Sequence, residues 1–161
     1  MAIRQIILLR HAHAEPPARD QDDAARPLTD GGQREAAAAA AWLVEHALKP
    51  DVVLCSPALR TRGTASVVAA ALGAEAGLRI DERIYEATPA TLIGILDEYA
   101  DADSLLLVGH NPGLETLVAL LTDGTSDSGR GMPPGSIAWL HLDHDAALEP
   151  GAASLRHFWW P

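Results

Sequence analysis

Three short runs of consecutive apolar residues, at 6–9, 52–55 and 105–108, punctuate a chain whose other apolar positions recur every three or four residues. Short unbroken runs rich in branched side chains predict strands buried on both faces, and their alternation with helical periods predicts an α/β fold. The expected architecture is a largely parallel central sheet with helices on both faces. Weaker strands are predicted at 78–80, 136–142 and 153–159, the last two nearer the sheet edge. Thr29 can cap a helix with Ala36, Ala40, Leu43, Val44 and Ala47 inward. Ser56 and Pro57 are expected to cap and open a second, with Thr64, Val67, Val68, Ala71 and Leu72 inward. Thr88-Pro89 repeats the device before Leu92, Ile95, Leu96 and Tyr99, and Asn111-Pro112 before Leu114, Leu117, Val118 and Leu121. The stretches 13–28 and 122–135 lack a period and are long for loops, which makes them candidates to rim a pocket. For the terminal Phe158-Trp159-Trp160, packing as part of a last strand is the default.

A chain of 161 residues suits one compact domain over 1–161, and no second apolar core or internal repeat is visible. Its 12 Lys+Arg against 22 Asp+Glu give a net charge of −10, which opposes attraction to nucleic acid or an anionic membrane surface. Any anion site must therefore be locally positive. The single Cys55 offers no internal disulfide, no run approaches the ~18 apolar residues of a membrane span, and the amino terminus enters a strand without a basic leader. The cytoplasm is the expected compartment.

The chemistry clusters at strand ends. Arg10-His11 follows the first run, Ser56-Pro57-Ala58-Leu59-Arg60 the second, and Gly109-His110-Asn111-Pro112-Gly113 the third. In an open parallel sheet, ligands bind at the carboxyl ends of the strands, so two imidazoles and two guanidiniums are aimed at one place. A guanidinium presents a planar fork matched to phosphate oxygens, and neutral imidazole is a competent nucleophile near neutral pH. That set suits phosphoryl transfer to histidine. Helices opening after Ser56 and Asn111 would add free N–H groups and positive dipole ends. The pair His11/His13 suggests a metal only weakly, because no third ligand lies nearby; no metal is expected, and His13 is a candidate for the pocket mouth. Cys55 and Arg60 enclose four residues, not the five of a cysteine-phosphatase loop, and Cys55 continues an apolar strand. A buried structural thiol is the expectation.

Five blocks in order, Leu-Leu-Arg-His-Ala-His-Ala, Arg-Pro-Leu-Thr at 26–29, Cys-Ser-Pro-Ala-Leu-Arg-Thr-Arg-Gly-Thr at 55–64, Ile-Tyr-Glu-Ala at 84–87 and Val-Gly-His-Asn-Pro-Gly-Leu-Glu at 108–115, resemble the histidine phosphatase superfamily. Within it, the chain is most similar to the small SixA-type phosphohistidine phosphatases. The resemblance implies that His11 accepts the phosphate, that Arg10 and Arg60 grip it, and that His110 stabilises the transferring group, with no cofactor. Ala12 stands where the family often has glycine and marks the branch. Members acting on phosphate esters use a carboxylic acid to protonate the leaving oxygen; Glu86 is the preferred candidate, with Glu82 the alternative.

Phosphohistidine places a weaker demand on such an acid, because the departing imidazole can carry a proton on its other nitrogen. Only about two dozen residues separate Ile80 from Leu105, which leaves no room for a large lid domain. The expected substrate is therefore a phosphohistidine on another protein. A phosphatase for a small phosphorylated metabolite and a non-catalytic phosphohistidine-binding module are the alternatives.

Overall fold

The computed structural model describes residues 3–126 and 131–161. Six strands form one sheet: β1 (Ile3–Arg10), β2 (Val52–Cys55), β3 (Leu78–Ile80), β4 (Ser104–Gly109), β5 (Ile137–Asp143) and β6 (Ser154–Trp159). Their order across the sheet is β3-β2-β4-β1-β5-β6. The first four are mutually parallel, and β5 and β6 add antiparallel at one side. The sheet is thus mixed, with the parallel part carrying the strand ends singled out above.

Four helices cover it: α1 (Asp30–Glu45), α2 (Leu59–Leu72), α3 (Pro89–Asp97) and α4 (Gly113–Asp123). Successive side chains of a strand point to opposite faces, so β1 feeds two cores. Ile7 and Leu9 pack with Ala39 and Leu43 of α1 and Ala65 and Val68 of α2. Ile6 and Leu8 pack with Ile95 and Leu96 of α3 and Leu114 and Leu117 of α4. Both central strands β1 and β4 are buried from residue 6 to 9 and from 104 to 109, which is why their sequences are apolar without alternation.

Helix α1 starts where its cap predicts, with Thr29 Oγ1 accepting from the Gly32 N–H at 2.9 Å. Its inward face differs at the end: Val44 is 51% exposed, and Ala47 has left the helix with φ of 54°. The buried stripe is Gly32, Ala36, Ala39, Ala40 and Leu43, because the 3.6-residue period carries position 44 round to solvent. Thr88 caps α3 with Pro89 in the first turn, as expected. The other two proline devices act differently. Helix α2 begins only at Leu59, after Ala58, and α4 at Gly113, after a cis Asn111–Pro112 bond. Ser56 Oγ pairs with His110 at the strand ends, whereas Asn111 does cap α4, its Oδ1 accepting from the Glu115 N–H at 3.2 Å from one residue further out than expected. Ala71 is exposed, and Val67 and Leu72 are half-buried.

The segment 13–28 holds a 3-10 turn at Asp23–Ala25 and a single bridge between Ala14 and Leu28. Of the stretch 122–135, Thr122 and Asp123 belong to α4, and 127–130 lie outside the described residues. Phe158 and Trp159 pack on opposite faces of β6, Trp159 stacking on Trp42 at 5.8 Å between ring centroids, while Trp160 is exposed. Among the described residues, no helix is long and apolar enough to cross a membrane.

One close approach ties α1 to the first residue of the segment 13–28. A Cβ on Gly32 would sit 2.0 Å from the His13 carbonyl oxygen, so only glycine lets the first turn of α1 pass that backbone. Gly32→Ala is expected to lower stability by about 2 kcal/mol or more in urea denaturation, because backbone must move to admit the methyl.

Candidate active site

The parallel register brings the strand ends together. Arg10 of β1 lies beside Gly109 of β4, and Val108 beside Cys55 of β2, so the residues that follow each strand emerge at one edge. A cavity of about 650 Å³ opens there, lined by Arg10, His11, Arg60, His110 and Glu86, with His13, Asp23 and Arg26 at its wall. The four side chains expected to converge do so. The His11 and His110 rings stand 5.3 Å apart between centroids. Glu82 is exposed and does not line the cavity, which leaves Glu86 as the acid candidate that faces it. Glu86 has a φ of 55°, an uncommon conformation for a residue with a Cβ.

The backbone around His11 is pinned on several sides. Its N–H donates to the Gly109 carbonyl at 3.1 Å, and the Gly135 N–H donates to the carbonyls of both Arg10 and His11 at 3.1 Å. Ala12 is fully buried, and its N–H donates to Thr64 Oγ1 at 3.0 Å. A methyl is therefore accommodated where the family often has glycine.

The hydrogen bonds decide the tautomers. His11 Nδ1 lies 2.8 Å from the Ala12 carbonyl, which can only accept, so Nδ1 carries the proton and Nε2 keeps its lone pair. His110 is held the other way round. Its Nδ1 faces the Arg60 Nη2 donor at 3.4 Å, so Nε2 carries the proton and donates to Ser56 Oγ at 2.7 Å. Burial pushes His11 down to about 4, with the backbone acceptor opposing and Arg10, Arg60 and Arg26 adding to the effect. Burial likewise pushes His110 down to about 3, helped by His11 and Arg60. Both imidazoles are neutral at pH 7.

The guanidiniums are anchored by atoms that leave donors over. Arg10 Nη1 donates to the Met132 carbonyl at 2.8 Å, and burial lowers its affinity for its proton. Arg60 Nη1 and Nη2 donate to the Asp23 carbonyl and Oδ2 at 2.9 and 3.0 Å. The Nε atoms of Arg10 and Arg60 are buried with no hydrogen-bond partner. Both side chains line the cavity, so their positive charge faces any oxyanion bound there.

Two wall residues have no role in the sequence reading. Arg26 was present there only as the start of the Arg-Pro-Leu-Thr block, and Asp23 sits in a stretch with no period. Asp23 accepts from Tyr85 Oη at 2.5 Å and from Arg26 Nε at 2.9 Å as well as from Arg60. These donors hold its carboxyl well below the usual range, the Tyr85 hydrogen bond contributing most. Tyr85 also sets its ring edge-on to His110 at 5.5 Å. His13 Nδ1 pairs with Thr29 Oγ1 at 2.9 Å at the cavity wall. Cys55 is a buried free thiol pushed up to about 12 by its burial, consistent with a structural role.

An α/β sheet that gathers two neutral histidines and several guanidiniums at its parallel strand ends is the arrangement of a histidine phosphatase. The model of the histidine phosphatase superfamily (branch 1) matches residues 6–90, and the chain belongs to that family. A protein of Mycobacterium tuberculosis is 37% identical over 164 residues, covering 95% of this chain and 99% of its own. Among solved structures, SixA from Nakamurella multipartitia is 32% identical with a TM-score of 0.83, covering 100% of this chain and 98% of that one. The protein histidine phosphatase SixA complexed with tungstate is 26% identical with a TM-score of 0.79, covering 98% and 97%.

Proposed function

We propose that this phosphatase hydrolyses phosphohistidine on a protein, with His11 as nucleophile. The observation that carries this reading is the pairing of a neutral His11, its Nε2 unprotonated, with the guanidiniums of Arg10 and Arg60 in the wall of the same cavity. His11 Nε2 attacks phosphorus in line as the bond from phosphorus to the substrate imidazole breaks. The charge on the equatorial oxygens is held by Arg10 and Arg60, and by His110 once the bound anion favours a second proton on its Nδ1. Water then attacks phosphorus, His11 leaves, and inorganic phosphate is released. Arg60 fixes the tautomer of the second histidine, and Ser56 holds its ring by accepting from Nε2. No metal takes part in these steps.

The substrate class follows from the leaving group and the entrance. A phosphorylated imidazole protonated on its other nitrogen departs neutral, so Glu86 is needed less than for an alkoxide. Between β3 and β4 the chain holds only a 3-10 turn at Glu82–Ile84 and the short α3, which suits a site open to a histidine on another protein's surface. The likeness to SixA, solved with the oxyanion tungstate, points the same way. The acidic exterior restricts which phosphoproteins approach.

Steady-state kcat/KM on a phosphohistidine protein against a panel of phosphate esters tests the assignment. The phosphohistidine protein is expected to be the better substrate; an ester turned over equally well or better would favour a small metabolite, and tight phosphoprotein binding without phosphate release would favour a binding module. In the same assay Glu86→Gln should lower ester hydrolysis by about 10-fold or more while sparing phosphohistidine, as loss of a general acid predicts. Equal losses on both would contradict the leaving-group reasoning.

A further inference from the structure

The guanidinium of Arg60 is 7% exposed, and a charge so buried requires a partner. Asp23 supplies it in a particular way: its carbonyl and its Oδ2 together take both terminal nitrogens. What remains of Arg60 is the other edge of the same plane. That edge carries the buried, unpartnered Nε and the second hydrogen of Nη2, which lies 3.4 Å from His110 Nδ1. A guanidinium so held is fixed in direction, and here its second edge faces His110 while the side chain lines the cavity, which keeps its positive charge beside the histidine pair.

The same carboxylate reaches further. Its Oδ1 holds Arg26 Nε at 2.9 Å, Arg26 lining the cavity, and Tyr85 Oη donates to Oδ2 at 2.5 Å. Asp23 lies in the 3-10 turn Asp23–Ala25, which buries no residue, so its place is set by these polar contacts and not by packing. Removing it should disturb the cationic cup while leaving both hydrophobic cores intact.

We propose that Asp23 is a positioning residue for phosphoryl binding, holding the terminal edge of Arg60 and the Nε of Arg26 so that the Arg60 guanidinium stays at the cavity wall beside the histidine pair, where the oxyanion binds. Tyr85 steadies that carboxylate. The inference rests on the phosphatase reading above, since it assigns Asp23 a role toward the phosphate that reading places in the cup.

Orthovanadate inhibition, with kcat and KM on phosphoramidate, separates the outcomes in full-length Asp23→Ala, Asp23→Asn and Tyr85→Phe proteins. Loss of a charge-assisted contact predicts that Asp23→Ala raises the vanadate inhibition constant and KM by about 10- to 100-fold, with a smaller fall in kcat. Asp23→Asn keeps the shape and one acceptor, so it should recover part of the loss and guards against a folding defect; Tyr85→Phe should shift both constants the same way by about 3-fold, as loss of one neutral donor predicts. Tighter vanadate binding in Asp23→Ala would show instead that the carboxylate stands in for the substrate anion. Unchanged constants with only a lower melting temperature would reduce Asp23 to a loop fastener. Either result overturns the proposal, whereas a wild-type protein that neither binds vanadate nor cleaves phosphoramidate would bring down the phosphatase reading itself, and this inference with it.

Discussion

His11→Ala is expected to lower kcat by about a thousandfold or more, because in the proposed mechanism His11 supplies the attacking atom. The reason lies in the ionisation and tautomer of the imidazole. With burial holding its pKa at about 4 and the Ala12 carbonyl fixing the proton on Nδ1, essentially every molecule at pH 7 presents the Nε2 lone pair. Wild-type protein quenched during turnover should carry phosphate that is labile in acid and stable in base, and that maps to residue 11. The variant should carry none. Phosphate on Cys55 or on a serine would overturn the assignment, although a thiol pushed up to about 12 is a poor candidate at neutral pH.

Stability should fall steeply as the medium turns mildly acidic. His11 and His110 bind protons near 6.5 when the chain is unfolded, but only at about 4 and about 3 when folded. Between these values the unfolded chain holds more protons, so stability rises with pH across the window and is lost as pH falls from 6.5 towards 4. The His11 shift alone corresponds to roughly 3 kcal/mol once fully expressed, a large fraction of a typical folding free energy. Urea denaturation at pH 7.5 and pH 5 should therefore differ by about 4 kcal/mol, about half from each histidine. Phosphate should blunt the loss, since a bound anion favours a charged imidazole. Replacing both histidines by glutamine should flatten the dependence, and a flat wild-type profile would contradict the burial argument.

Much of this site was legible because its chemistry sits where strands stop. Buried strands such as β1 and β4 are apolar on every residue, so the first polar residues after them, Arg10-His11 and His110-Asn111, stand out against the run. The same logic located the helices but mistook two of their starts. Ser56 is taken by His110 and its helix opens only at Leu59, whereas Asn111 caps α4 through Oδ1 and the Glu115 N–H while its Nδ2 also donates to the Met132 carbonyl. Local rules yielded there to the needs of the cup. Asp23 was out of reach for a different reason. Its contacts lie 37 and 62 residues away, at Arg60 and Tyr85, and a 3-10 turn with no buried side chain leaves no periodic trace.

The pairing of β1 with β4 has a bearing on how such a catalyst tolerates change. Because Arg10 and Gly109 are register partners, the histidines one residue beyond start from the roughly 4.8 Å pitch between adjacent strands, and their rings end 5.3 Å apart. The gauge of the reaction is thus the pleated ladder itself, a dimension common to every sheet. Loops and helices around it are free to diverge in evolution without retuning the gap that a phosphorus atom must fill.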